Sequence, residues 1–288
     1  MPISAYERVK IARGGKRPTG ADFIDHLFTG FFELHGDRRF ADDAAIIGGV
    51  AYLDTLPVTV IAIEKGHTAR ERLQRSFGAP NPEGYRKALR LMQQAEKFNR
   101  PVICFVDTQG ANCGKGAEER GAGEAIARNL YELSAVRTPI ITVMIGEGGS
   151  GGALALAVAD RVWMLSNAYY SVISPESCAS ILFKDPKRAP EAAEHLHLTA
   201  NDLVELGIVE KKIAEPDFAD ADARRSFMEK LGHSLHRELK ALSRLDTDRL
   251  LAERTEKYRK IGRYDAYSVA GTGTAPAPHT HRWFSHGK

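Results

Sequence analysis

The chain has 288 residues, 43% of them hydrophobic, which suffices for one large domain or two small ones around a sizeable core. A net charge of +3 is not the profile of a dedicated nucleic-acid binder, and three cysteines (Cys104, Cys113, Cys178) without C-x-x-C spacing argue against a disulfide framework or a structural zinc site. No apolar run reaches transmembrane length and the N-terminus lacks the apolar core of a secretory signal, so the expected compartment is the cytoplasm.

Residues 1–20 read as a basic arm carrying Arg8, Lys10, Arg13, Lys16 and Arg17. Such an arm is either solvated or a surface for an acidic partner or a phosphate-bearing ligand, and the sequence leaves both open. Residues 21–34 put Phe23, Ile24, Leu27, Phe28, Phe31 and Leu34 on one helical stripe. Residues 46–53 and 58–63 read as two strands of a hairpin. A polar stretch, 64–81, predicts a long loop or a loop with a short helix, a place where function tends to sit. Pro82–Glu83 opens a helix that runs to Phe98 with Ala88, Leu89, Met92 and Ala95 inward.

A strand at 102–106 follows, then the glycine-rich loop 107–116, then a helix over 117–135. Residues 140–145 are continuously apolar and β-branched, which predicts a buried strand. Gly146-Glu147-Gly148-Gly149-Ser150-Gly151-Gly152 reads as a tight turn, and 153–159 as a buried helix. Strands at 162–165 and 170–173, helices at 189–198 and 199–206, and a short strand at 208–213 complete the domain, with Pro216 at its boundary. Residues 227–259 form an amphipathic region of two helices broken near Asp246. Residues 268–288 are Gly/Thr/Ala/Pro-rich and read as a disordered tail, whose His279, His281 and His286 are more often incidental than metal ligands.

Strand, loop and helix thus recur three times at roughly 40-residue spacing, which predicts an α/β fold of parallel strands joined by buried helices. The expected organisation is the arm 1–20, one domain over 21–216, a helical segment 217–267 and the tail 268–288. The two glycine-rich loops fall at the ends of the second and third repeating strands, on one side of the sheet. Backbone N–H groups gathered there suit a phosphate, or an oxygen that gains negative charge in a reaction. Residues 146–151 also fit G-x-G-x-x-G, but the next strand ends in Ser166-Asn167 without the acid that a dinucleotide site wants about 20 residues on. A P-loop is excluded, because no Gly-Lys-Ser/Thr follows. The remaining reading is that the glycines only let strand and helix pack closely.

Longer motifs point further. Phe32-Glu33-Leu34-His35-Gly36-Asp37-Arg38, residues 82–92 (PEGYRKALRLM), residues 116–121 (GAEERG), residues 145–155 (IGEGGSGGALA) and Ser171-Val172-Ile173-Ser174-Pro175-Glu176 resemble the carboxyltransferase alpha subunit of bacterial acetyl-CoA carboxylase. The resemblance covers about residues 17–216. It implies a crotonase-like spiral of ββα repeats with a helical C-terminal segment. It also implies transfer of a carboxyl group from carboxybiotin on a carrier protein to acetyl-CoA, giving malonyl-CoA for fatty acid synthesis. The implied partners are a carboxyltransferase beta subunit, as α2β2, the biotin carboxyl carrier protein, and biotin carboxylase in the full complex, with no membrane. The cofactor is biotin, and this chain holds no metal. By the same resemblance Gly148 and Gly149 supply the first pair of backbone amides and Gly110 and Ala111 the second wall. Lys65, Arg75, Arg86 and Lys87 are candidates for CoA phosphates or the partner subunit.

The chain departs from the family where members commonly show Asp-Thr-Pro-Gly-Ala-Tyr-Pro-Gly. Here the loop is Asp107-Thr108-Gln109-Gly110-Ala111-Asn112-Cys113-Gly114, so Gln109 and Asn112 replace a proline and an aromatic. Two alternatives follow: a diverged paralogue acting on another acyl-CoA, or a non-catalytic partner of a beta subunit. A stand-alone hydratase would need acid and base side chains that this loop does not offer.

Overall fold

The structure, a computed structural model, describes residues 3–262. The tail expected over 268–288, with its three histidines, lies outside the described residues.

The basic arm is structured. Helix α1 (Ala5–Ala12) starts at Ser4, whose hydroxyl accepts from the Glu7 N–H at 3.2 Å while the Glu7 carboxylate accepts from the Ser4 N–H at 3.0 Å. Helix α2 (Gly20–Leu27) has the same kind of cap in Thr19 and Asp22. The helical stripe expected over 21–34 ends at Leu27. Phe28 turns extended and β1 (Thr29–Glu33) runs antiparallel beside β2 (Ile46–Leu53). β2 and β3 (Leu56–Ile63) form the expected hairpin. The polar stretch after β3 holds a short helix, α3 (Ala69–Gln74), and a 3-10 turn at Ser76–Gly78.

Helix α4 (Pro82–Lys97) begins with proline at its first position and lays Ala88, Leu91, Met92 and Ala95 on the sheet. Strand β4 (Val102–Thr108) is buried throughout. The single helix expected over 117–135 is two, α5 (Lys115–Glu119) and α6 (Ala122–Ala135). Gly121 between them takes φ +84°, which an α-helix does not allow. Strand β5 (Ile140–Gly149) is longer than expected: residues 146–149 continue the strand, and the helix starts earlier, as α7 (Ser150–Leu154). Gly148 stays extended between two neighbours, Thr108 of β4 and Tyr170 of β7 (Tyr169–Ser171), and Gly149 pairs with Ser171.

Strands β3, β4, β5, β6 (Arg161–Leu165) and β8 (Lys211–Ile213) run parallel in that spatial order. Helix α8 (Pro175–Phe183) packs on α9 (Ala189–His195), α9 on α1, and α10 (Ala200–Glu205) against β8. Helix α8 has no counterpart in the sequence reading. Beyond the sheet, α11 (Ala221–Leu242) packs on α2 and α12 (Thr247–Arg259) on α6. No helix among the described residues is long and apolar enough to cross a membrane.

Candidate active site

The site lies where β4 and β5 end side by side. β4 closes on Asp107 and Thr108 before the loop 109–114, and β5 closes on the glycine run before α7. The two ends touch through backbone. A Cβ at Gly149 would overlap the Gln109 carbonyl. A Cβ at Gly152 would lie 2.5 Å from Ala111 N and 2.8 Å from the Tyr85 hydroxyl. Both positions therefore demand glycine for close approach, and that approach brings the Gly148–Gly149 segment beside the Gly110–Ala111 segment. Ser150 joins strand to helix at φ +50°, a conformation a serine keeps only where its surroundings hold it.

The amides are not equally free. The Gly110 N–H, expected to face a ligand, donates to Thr108 Oγ1 at 3.0 Å, and that hydroxyl donates to Gly110 O at 2.9 Å. Gly110 thus spends its N–H inside its own loop. Asn112, one of the two residues that depart from the family pattern, fastens the loop. Its N–H donates to Pro80 O at 3.0 Å, its side-chain amide to Asn81 Oδ1 at 3.1 Å, and its Oδ1 accepts from Gly114 N at 2.8 Å. Hydrogen bonds here supply order that a proline would otherwise give.

Beside the strand ends lies a charge network that sequence reasoning missed. Lys65 Nζ sits 2.6 Å from Asp107 Oδ1 and 2.7 Å from Glu147 Oε1. The Glu147 N–H donates to Asp107 Oδ1 at 2.7 Å. Glu147 Oε2 accepts from Tyr169 OH at 2.7 Å and from Arg13 Nε at 2.9 Å. Arg13 then forks onto Glu176, at 2.7 and 3.2 Å. Burial alone would push the Glu147 carboxyl up, but Lys65, Tyr169 and Arg13 together hold it below its ordinary value. Burial alone would lower Lys65, but Asp107 and Glu147 outweigh it and raise the ammonium. A cavity of about 170 Å³ opens beside this network, lined among others by Arg13, Arg17, Lys65, Arg72, Asp107 and Gln109.

The four cations expected to meet CoA phosphates or the partner subunit have these partners within the chain. Lys65 is inside the network just described. Lys87 is fully buried, 2.7 Å from Asp42 Oδ1 and 3.0 Å from Asp43 O, so it does not reach a phosphate. Arg86 bonds Asp37 at 2.8 Å, Glu83 at 3.1 Å and Arg120 O at 3.0 Å, which occupies its guanidinium. Arg75, half-buried, donates to Ala44 O at 2.7 Å and has no carboxylate partner among the described residues. Two of the arm's cations are spent likewise. Arg8 reaches Ser166 O at 2.6 Å, and Arg17 reaches Ile145 O at 2.7 Å and Glu215 at 2.6 Å. The one signal in the sequence was Glu147 itself, a lone charge inside a glycine run.

A sheet of this order, with two glycine-bearing strand ends packed together, defines a crotonase-like fold of the kind carboxyltransferases use. The transcarboxylase 12S core, solved with methylmalonyl-coenzyme A and methylmalonic acid bound, matches it with a TM-score of 0.61 at 18% identity, over 94% of this chain and 46% of that one. The beta subunit of P. aeruginosa geranyl-CoA carboxylase matches with a TM-score of 0.59 at 16% identity, over 92% of this chain and 48% of that one. At such identity the likeness is one of fold. Sequence narrows the class: residues 1–262 match the acetyl co-enzyme A carboxylase carboxyltransferase-like family, and the chain belongs to it. The match is wider than the 17–216 expected, taking in α1, α11 and α12. The chain is 55% identical over 259 residues to the acetyl-coenzyme A carboxylase carboxyl transferase subunit alpha of Clostridium botulinum Eklund 17B, covering 90% of this chain and 94% of that protein. It is 56% identical over 262 residues to the protein of Natranaerobius thermophilus named for the beta and alpha subunits together, covering 91% of this chain but 43% of that protein.

Proposed function

We propose that this chain is the alpha half of a carboxyltransferase that moves a carboxyl group from carboxybiotin, presented by a carrier protein, to acetyl-CoA, giving malonyl-CoA. It works with a beta subunit, as α2β2, within a complex that also holds biotin carboxylase. The observation that carries this reading is the close seating of Gly149 on Gln109 and of Gly152 on Ala111, which brings two backbone segments to one place at the strand ends. The reaction needs donors for an oxygen that gains charge as the carboxyl group leaves carboxybiotin, and backbone amides fixed in advance supply that stabilisation without reorganising. Gly148 and Gly149 are assigned the first role, with Ala111 on the facing wall and Gly110 holding that wall through Thr108. Lys65 and Glu147 keep the two strand ends in register. No side-chain nucleophile is required.

The test is malonyl-CoA formation from carboxybiotin and acetyl-CoA, with this chain alone, with a beta subunit alone, and with both. Turnover only with both supports the reading. Turnover of a longer acyl-CoA in place of acetyl-CoA keeps the chemistry and moves the substrate. Tight association without any turnover overturns it.

A further inference from the structure

Helix α1 stands outside the repeating strand–helix units, yet its C-terminal end reaches their working edge. Arg13, which follows the helix, places Nε 2.9 Å from Glu147 Oε2 and its two terminal nitrogens 2.7 and 3.2 Å from the two oxygens of Glu176. The guanidinium also faces the Tyr169 ring at 5.8 Å. Glu147 is 7% exposed and immediately precedes Gly148–Gly149. Every element around it brings a titratable or charged group. Lys65 comes from the end of β3, Asp107 from β4, Tyr169 from β7 and Arg13 from α1. Glu176 of α8 lies behind Arg13 and takes Tyr6 OH at 3.2 Å, while Arg17, His67 and Arg72 line the adjoining cavity.

The charges alternate, Asp107–Lys65–Glu147–Arg13–Glu176, and Arg13 is the link that no repeating unit supplies. Arg13 and Lys65 share Glu147 through different oxygens, Oε2 and Oε1. Two cations on two oxygens fix the plane of the carboxylate as well as its position. We propose that Arg13 is a positioning residue for carboxyl transfer: by clamping the Glu147 carboxylate from the side opposite Lys65, it fixes the Gly148–Gly149 backbone against the Gln109–Gly110 loop. The inference rests on the carboxyltransferase reading given above. Amide donors that drift by about an ångström lose on the order of a hundredfold in rate, so a residue that touches no substrate still governs turnover.

The test uses the chain assembled with its beta subunit and measures malonyl-CoA formation across pH for wild type, Arg13→Gln and Arg13→Lys. Arg13→Gln lowers kcat at least ~10-fold with KM for acetyl-CoA unchanged, and it moves the acid limb of the kcat profile upward by about one pH unit, because Glu147 loses a cation that favours its charged form. Arg13→Lys restores the acid limb while regaining only part of kcat, since lysine keeps the charge and loses the fork. Should Arg13→Gln fail to fold, Glu147→Gln, of the same shape, carries the test and loses kcat to the same extent. Wild-type activity that survives either glutamine variant within about twofold, or an acid limb that does not move in Arg13→Gln, overturns the inference alone. A wild-type complex that forms no malonyl-CoA overturns the carboxyltransferase reading and the inference with it.

Discussion

Lys65 holds two carboxylates on one ammonium, and that arrangement sets its cost when broken. Replacing it by methionine keeps most of the volume and leaves Asp107 and Glu147 without the cation between them. Removing one partner from a buried ionic cluster costs about 3–5 kcal/mol. The deficit depends on pH with a definite sign. In the wild type the Glu147 carboxyl is held below its ordinary 4.5, so its contribution is full above that value and is lost as pH falls through the depressed one. In Lys65→Met the same carboxyl is pushed up and accepts a proton more easily. The gap in unfolding free energy is therefore largest near pH 8 and narrows toward pH 5, which urea titrations at the two pH values measure. A gap that widens on acidification rejects the assignment. Tyr85 gives the opposite case. Its hydroxyl is buried with no partner among the described residues, so Tyr85→Phe leaves unfolding free energy unchanged or raises it by up to ~1 kcal/mol. A loss of more than ~1 kcal/mol in urea denaturation would show that the hydroxyl carries a bond through ordered water. At this scale the sequence was least legible. Lysine and arginine announce a charge but not where it is spent, and the Lys65–Glu147 bond spans 82 positions along the chain.

Among the elements, the strands were legible wherever both faces are covered. β3, β4 and β5 are buried along nearly their whole length, and a strand covered on both faces has to be written in continuous apolar residues. β1 was hidden by coincidence: Phe28, Phe31 and Leu34 continue a helical spacing past Leu27, yet the segment is a half-exposed edge strand. α8 announced itself through Ser174 and Pro175, whose serine hydroxyl accepts from Ser177 N at 3.1 Å, but the stretch before it resembles a strand and drew the reading. The site's position at two neighbouring strand ends was legible because parallel strands put equivalent loops on one side. The shift of α7 toward the N-terminus was not, because pairing with β7 is what keeps the glycines extended. α12 carries the sharpest test at this scale. Its Arg254, 2% exposed, bonds both oxygens of Asp160 at 2.8 and 2.7 Å and the carbonyls of Leu133, Val136 and Thr138 at 2.8, 2.7 and 3.0 Å. It ties α12 to the end of α6 and the start of β5. Arg254→Met costs about 3–5 kcal/mol in urea unfolding, because Asp160 is left buried and charged. Adding Asp160→Asn recovers at least ~1 kcal/mol, since the charge goes while the Ile140 N–H keeps an acceptor. Equal stability of the single and double variants would mean that lost packing, not the stranded charge, sets the cost.

For the molecule as a whole, one exposed apolar part of its surface adjoins the site. Val172 is 76% exposed, Ile181 59%, Leu182 62% and Leu206 42%, and a groove of about 350 Å³ runs between Ser150, Gly151, Leu154, Val172, Leu196 and Leu206. A run of large apolar side chains beside a candidate site is the composition of a covered surface, not of a solvated one. The relative from Natranaerobius thermophilus, named for both subunits in one chain, gives a reason to look for the cover in a beta subunit. On that reading hydrogen exchange in 170–183 and 203–208 slows on mixing with a beta subunit, whereas α11 and α12, which reach the start of β6 through Glu238–Arg161 and Arg254–Asp160, exchange as before. Val172→Glu and Leu182→Glu weaken the association by about tenfold or more, because each buries an unpaired carboxylate where an apolar group packed. Both variants unfold like the wild type when alone, since neither side chain is part of the core. Protection that appears on α11 or α12 instead, with 170–183 unchanged, would put the partner there and reject the groove beside Ser150 as the docking surface.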